Sequence, residues 1–257
     1  MAINSSVPDT TQGATPALDK AAIKAEFVAE RGYWRPWTET MLEACPSFVA
    51  QYARYAGYPA RTGPLSARMV ELIYIGLDAS ASHLFESGLN THMKRALELG
   101  ATVGDVFDVL HLVALQGVSQ VCLAANILAE CSGSPPMPTP VDDARQERLE
   151  RLGPAHAMEL GAMHHMDPDY VDMLLDFVEH GRPSQGLKPA ERCLVQVALH
   201  ACFTAFNPEA VRQLITTALA QGVPSSELLQ AIQLGAHLSV HGSALGANVF
   251  RGLTSEP

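Results

Sequence analysis

Two histidines, His83 and His92, flank the segment Leu84-Phe-Glu-Ser-Gly-Leu-Asn-Thr91. Imidazole titrates near neutrality, so such a pair suits proton transfer at physiological pH. Gly88 and Asn90 disfavour a continuous helix between them, and a break there lets both rings converge on one pocket. Two carboxylates are candidate partners. Glu71 stands on an otherwise apolar helical face, where it can orient His92 or act as a second acid or base, or be a solvated surface residue. Glu86 sits beside the expected break and is the alternative. Arg95 lies one helical turn from His92 and reaches the same side, which suits capture of a substrate carboxylate. Arg54, Arg61 and Arg68 are also available.

Each of these residues has a structural reading too. One histidine could cap a helix end while the other is a satisfied core residue. His83, Glu86 and His92 could also ligate a metal, but their spacing H-x-x-E-x5-H matches no compact metal signature, so no metal is expected there. Trp34 and Trp37, within Tyr33-Trp-Arg-Pro-Trp37, could form a lid over an aromatic substrate, a packing anchor or an oligomer contact. His237 and His241, spaced i, i+4, read as a packing pair on the last helix, and His164-His165 as a helix end.

The elements that must position these residues are helical. Alternating β-branched runs are absent, and apolar residues recur at helical spacing, as in Leu65, Met69, Leu72, Ile73 and Leu77. The expected fold class is therefore all-α. Sliding the chain on itself reveals an internal repeat with an offset of 122 residues. Pro46 falls on Pro168, Leu65 on Leu187, Leu72 on Leu194, Gly100 on Gly222 and Asn126 on Asn248. Each copy reads as a helix after the proline, a second from Leu65 or Leu187, and a third ending at Gly100 or Gly222, where glycine suits a left-handed cap. A long fourth helix follows. Thr102-Val-Gly-Asp105 is its capping-box start in the first copy, with Ser225 and Glu227 serving in the second.

The expected organisation is a disordered tail over residues 1–17, a first repeat over 18–130, a Pro-rich linker over 131–140 and a second, degenerate repeat over 141–252. Further helices are expected at Leu18–Arg31 and about Val141–His164.

Composition bounds the partners. The formal charge of −10 offers no basic footprint for a nucleic acid. The apolar run Val106–Ala129 is interrupted by Asp108, His111, Gln116, Gln120 and Asn126, which would be costly in lipid, so it reads as a buried helix rather than a membrane span. The N-terminal residues show neither a basic start nor an apolar run, so no signal peptide is expected. Five cysteines without a C-x-x-C suit free thiols in a reducing cytoplasm.

The run Glu71-Leu-Ile-Tyr-Ile-Gly-Leu-Asp-Ala-Ser-Ala-Ser-His83, followed by His92-Met-Lys-Arg-Ala-Leu-Glu-Leu-Gly-Ala-Thr102, resembles carboxymuconolactone decarboxylases and the related alkylhydroperoxidase D proteins. The resemblance extends over roughly 46–130 and 168–251. The peroxidase branch carries a C-x-x-C ahead of the histidine; if His92 is that histidine, Phe85 and Gly88 occupy the cysteine positions, and a disulfide cycle is impossible there. In the second copy Leu214 stands where His92 does and Cys193 where Glu71 does.

The resemblance implies an enzyme using cofactor-free acid–base chemistry on a small carboxylated or lactone intermediate of aromatic breakdown. His92 would transfer the proton, His83 would assist, Glu71 or Glu86 would set the tautomer, and Arg95 would hold a carboxylate. Two alternatives stay open: a peroxidase using a lone thiol such as Cys202 or Cys122, and a non-catalytic binding or assembly protein on the same fold. Small members of the family form rings of paired subunits, so a chain with two fused units is expected to assemble as a homotrimer.

Overall fold

The computed structural model describes residues 19–133, 144–145, 147–148 and 160–255. Among them every regular element is helical, so the fold is all-α. The tail, and all of the linker beyond Gly133, lie outside the described residues.

The helices are α1 (Lys20–Arg31), α2 (Pro36–Ala44), α3 (Pro46–Thr62), α4 (Ala67–Ala79), α5 (Glu86–Glu98), α6 (Val103–Ala114) and α7 (Gln116–Cys131). After the undescribed stretch come α8 (Gly161–Met166), α9 (Pro168–His180), α10 (Pro189–Ala201), α11 (Pro208–Ala220), α12 (Ser225–Leu234), a 3-10 turn (Ala236–Ser239) and α13 (Val240–Ser255). The bounds of α4 and α5 recur 122 residues later as those of α10 and α11. Gly100 and Gly222 occupy the same place after α5 and α11, with φ of 88° and 82°, a left-handed conformation that a side chain would strain. Thr102 and Asp105 form the expected capping box on α6. On α12 the cap is Pro224, without a side-chain hydrogen bond, and Ser225 is already inside the helix.

The chain divides into two compact units that cut across the repeats. One comprises the described residues between 58 and 241. At its centre α4 is buried without interruption from Met69 to Asp78. A helix apolar on every side must be covered on every side; α5, α6, α10 and α12 all pack against it. Its counterpart α10 packs against α11, α12 and α6. Leu72, Ile73, Ile75 and Leu77 are fully buried, each contributing about 1.5–3 kcal/mol relative to exposure.

Two matching braces tie this unit together. Asp108 on α6 accepts a hydrogen bond from the Leu187 backbone N–H ahead of α10, at 2.9 Å. Gln230 on α12 accepts from the Leu65 N–H ahead of α4, at 2.7 Å, and donates to Pro59 O at 2.7 Å. Asp108, fully buried, also pairs with Arg192 and lies 3.3 Å from Arg182 Nε.

The expected single fourth helix is interrupted at Leu115, separating α6 from α7. By length and composition alone Val103–Cys131 could cross a membrane, and 29% of its most apolar 18-residue window is buried inside the protein. The α6 half is anchored in the core through Asp108 and its arginines, whereas α7 exposes Leu123, Ile127 and Leu128. The expectation of a buried helix therefore holds for the inner face of α6, from Val106 through Asp108 and Val109 to Leu112, and fails at Phe107 and along the outer face of α7.

The other unit contains residues 19–57 and 242–255 of the described chain. Phe27 is its fully buried centre, met edge-on by Tyr33, Trp34 and Trp37 at 5.4, 5.2 and 6.3 Å.

Candidate functional site

The site is built where α4 ends. The helix stops at Ala79, and the Ser80 carbonyl accepts from His83 N and Leu84 N at 2.8 and 3.0 Å. Phe85 N donates back to Asp78 O at 2.9 Å. Leu84 has φ +47°, the positive-φ non-glycine residue among those described, at a cost of roughly 1–2 kcal/mol. The break expected around Gly88 and Asn90 thus lies earlier, over residues 80–85, and both of those residues are inside α5. Gly88 is needed for another reason: a Cβ there would run into the Asp78 carboxylate and the Phe85 ring.

This turn places His83 and His92 around one buried carboxylate, Asp78. His92, on α5, lies with Nδ1 2.5 Å from Glu71 Oε2 and Nε2 3.9 Å from Asp78 Oδ2. Its ring stacks obliquely on Tyr74 at 4.6 Å. Arg95 Nη1 is 3.7 Å from the other Glu71 oxygen. His83 Nε2 lies 2.8 Å from His241 Nδ1 and 3.8 Å from Asp78 Oδ1. Phe85 stacks on His241 at 3.6 Å, and His237 meets Tyr74 edge-on at 5.4 Å.

Exposure rises outward. The side chain of Asp78 is 2% exposed, His83 11%, His92 16% and Arg95 37%. Burial pushes the His83 imidazole below its ordinary titration range, which favours the neutral ring. A neutral histidine beside another can hold one N–H···N hydrogen bond. On His92 the carboxylate accepts from Nδ1–H, which leaves Nε2 for a reacting group.

Of the residues expected from the sequence, Glu71, His83, His92 and Arg95 come together here. Glu86 does not join them; it is exposed in the first turn of α5, and the bond to His92 is made by Glu71. Trp34 and Trp37 belong to the other unit, where Trp37 is 5% exposed and Trp34 Nε1 donates to Glu39 at 2.7 Å. Trp34 also lines an open cavity of about 510 Å³ within that unit, with Pro36 and Arg251. Arg54 pairs with Glu26, and Arg68 bridges Asp105 and Glu191.

Two site residues escaped the sequence reading. Asp78 interrupts the run Ile73-Tyr-Ile-Gly-Leu77, and a charge inside so apolar a helix is itself a signal. His241 was visible as one of a pair, but the 3-10 turn ends at Ser239 and puts it on a different element from His237.

All five cysteines are free. Cys122 and Cys202 are buried at 1% and 4% exposure, and burial pushes the Cys193 thiol up. A thiol shut away from solvent is generally inert.

The model of the Carboxymuconolactone decarboxylase family matches residues 46–130, a stretch that holds Glu71, Asp78, His83 and His92. No curated protein matches the chain. A crystal structure of a protein from Burkholderia xenovorans LB400, named provisionally as a gamma-carboxymuconolactone decarboxylase subunit, has a similar fold. The two superpose with a TM-score of 0.81 at 24% identity, over 93% of this chain and 98% of that one. Residues 46–130 are thus similar to the carboxymuconolactone decarboxylase family, and the fold of the chain is similar to that of the Burkholderia protein.

Proposed function

We propose that this chain is an acid–base enzyme acting on a small carboxylated or lactone intermediate of aromatic breakdown, with loss of carbon dioxide as the net reaction. The carrying observation is the 2.5 Å contact between His92 Nδ1 and Glu71 Oε2. It fixes the ring and its tautomer, as a general acid or base requires. In the proposed reaction the bond to the carboxyl carbon breaks and its electron pair passes into an adjacent conjugated carbonyl. His92 in its protonated form then delivers a proton to carbon, and Glu71 supports the charge on the ring. Arg95, at the more exposed rim, pairs with a substrate carboxylate.

A screen of lactones and carboxylates from catechol breakdown, followed by carbon dioxide release, tests this reading. Turnover should persist when all five cysteines are replaced by Ser or Ala. Peroxide turnover that disappears in Cys202→Ser would instead establish the thiol alternative, and no turnover of either kind would leave the binding or assembly reading.

We also propose that the chain assembles as a homotrimer in a reducing, cytoplasmic setting, with a small molecule rather than nucleic acid or membrane as its partner. Apolar side chains are exposed at equivalent places on α7 (Leu123, Ile127, Leu128) and α13 (Leu245, Val249, Phe250). The Burkholderia protein is likewise named a subunit. Sedimentation equilibrium decides the matter: a mass near one 27.5 kDa chain would sink the trimer.

A further inference from the structure

We propose that Asp78, His83 and His241 form a binding site for one divalent transition-metal ion of the zinc, cobalt or ferrous class. One ligand atom from each residue lies within 4.8 Å of the other two. Around an ion with bonds of about 2.0–2.2 Å, neighbouring ligand atoms stand roughly 3.0–3.5 Å apart. The separations of 2.8 Å between His83 and His241 and 3.8 Å between His83 and Asp78 bracket that range. Small ring rotations would replace the His83–His241 hydrogen bond with two metal bonds.

The donor set selects the ion. Two imidazole nitrogens and one carboxylate suit borderline transition metals, whereas calcium and magnesium require more oxygen donors. The ligands are also held in place. The Phe85 ring stacks on His241 at an interplanar angle of 19°, and Phe203 meets His83 edge-on at 6.4 Å. The absence of a side chain at Gly88 leaves the Asp78 carboxylate its room. Three protein ligands leave coordination positions for water or a substrate oxygen. Asp78 Oδ2 faces His92 Nε2, so a bound ion would stand one carboxylate away from the acid–base pair.

The test uses the untagged full chain, treated with chelator and titrated with cobalt(II). One equivalent should bind and produce visible d–d bands stronger than those of the aquo ion, and zinc should displace it. His83→Ala and His241→Ala should each weaken binding by about tenfold or more, as should the near-isosteric Asp78→Asn. Replacing His165, exposed on α8, by Ala should change nothing. A wild-type spectrum that stays aquo-like at millimolar cobalt overturns the proposal, and that measurement depends on no variant folding. Unchanged affinity in both His83→Ala and His241→Ala overturns it as well. The readout is metal binding, so the result stands apart from whether a substrate of the proposed reaction is found.

Discussion

The two halves of the chain, 122 residues apart, hold the same helices and very different side chains at equivalent positions. Where the first half has Glu71, Asp78, His83 and His92, the second has Cys193, His200, Ala205 and Leu214. Yet α4 and α10, and α5 and α11, keep matching bounds. The frame therefore does not need the ionisable groups. Burying them is unfavourable unless they are partnered, and the first half partners them with one another. The second half is no bystander, because it supplies His237 and His241 to the same cluster. The difference separates residues that hold the fold from residues that can do chemistry.

The sharpest way to break that comparison is to copy the second half into the first. His92→Leu installs the residue found at 214. Turnover on the substrate found by screening should fall by about 10²–10⁴-fold, the usual worth of a general acid or base. The urea midpoint should fall only modestly, because Arg95 still faces the Glu71 carboxylate. Turnover within tenfold of wild type would show that the acid–base pair lies elsewhere.

A second comparison concerns the two braces. Asp108 and Gln230 occupy equivalent positions and cap equivalent backbone N–H groups, one with a carboxylate and one with an amide. Asp108→Ala leaves Arg192 buried without its carboxylate and should cost about 3–5 kcal/mol in equilibrium unfolding. Gln230→Ala leaves neutral groups unsatisfied and should cost less, about 1–3 kcal/mol. Equal costs would mean that the charged brace is no more critical than the neutral one.

Much of this frame was legible in the sequence, because helical periodicity and caps are local. Lys20–Arg31, the left-handed Gly100 and Gly222, and the Thr102–Asp105 box all follow from neighbours a few residues apart. The site was half legible. Glu71 and His92 are partners across 21 residues within one helical pair, whereas His83 and His241 meet across 158. Gly88 and Asn90 drew the expected break into what is α5, since a glycine kept for space looks the same in sequence as one kept for a turn. Leu115 itself is neither glycine nor proline, and the nearby Gly117 falls inside the first turn of α7, so composition alone reads through the stop.

A third test addresses the residue that replaces the site histidine in the second half. Leu214 is partly buried against the core, so Leu214→Ala should cost about 1–3 kcal/mol, below the range for a fully buried leucine. Turnover should remain close to wild type in the folded protein. Loss of turnover with little change in stability would make the second half the working one.

The smallest expected effect is the share of acid sensitivity that Asp105 contributes. Asp105 accepts from the Thr102 N–H in the capping box of α6 and pairs with Arg68, while its counterpart Glu227 faces no such arginine in sequence register, because Ala190 stands where Arg68 does. Burial pushes the Asp105 carboxyl up, but the hydrogen bonds from Arg68 and Thr102 outweigh it and hold the group below 3.8. A carboxylate depressed in the folded state adds stability that is complete above the unfolded value, near 3.9. That stability is lost as pH falls from there through the lower folded value. Glu26, Glu39 and Asp172 are also held low by cationic partners, so the wild-type acid limb has several contributors. Asp105→Asn isolates one of them. It should cost about 1 kcal/mol near neutral pH, the usual worth of a cap. Below about pH 4 its thermal midpoint should converge on that of the wild type. A difference that stays constant down to about pH 2.5 would assign the loss to the cap hydrogen bond alone and remove Arg68 from the account.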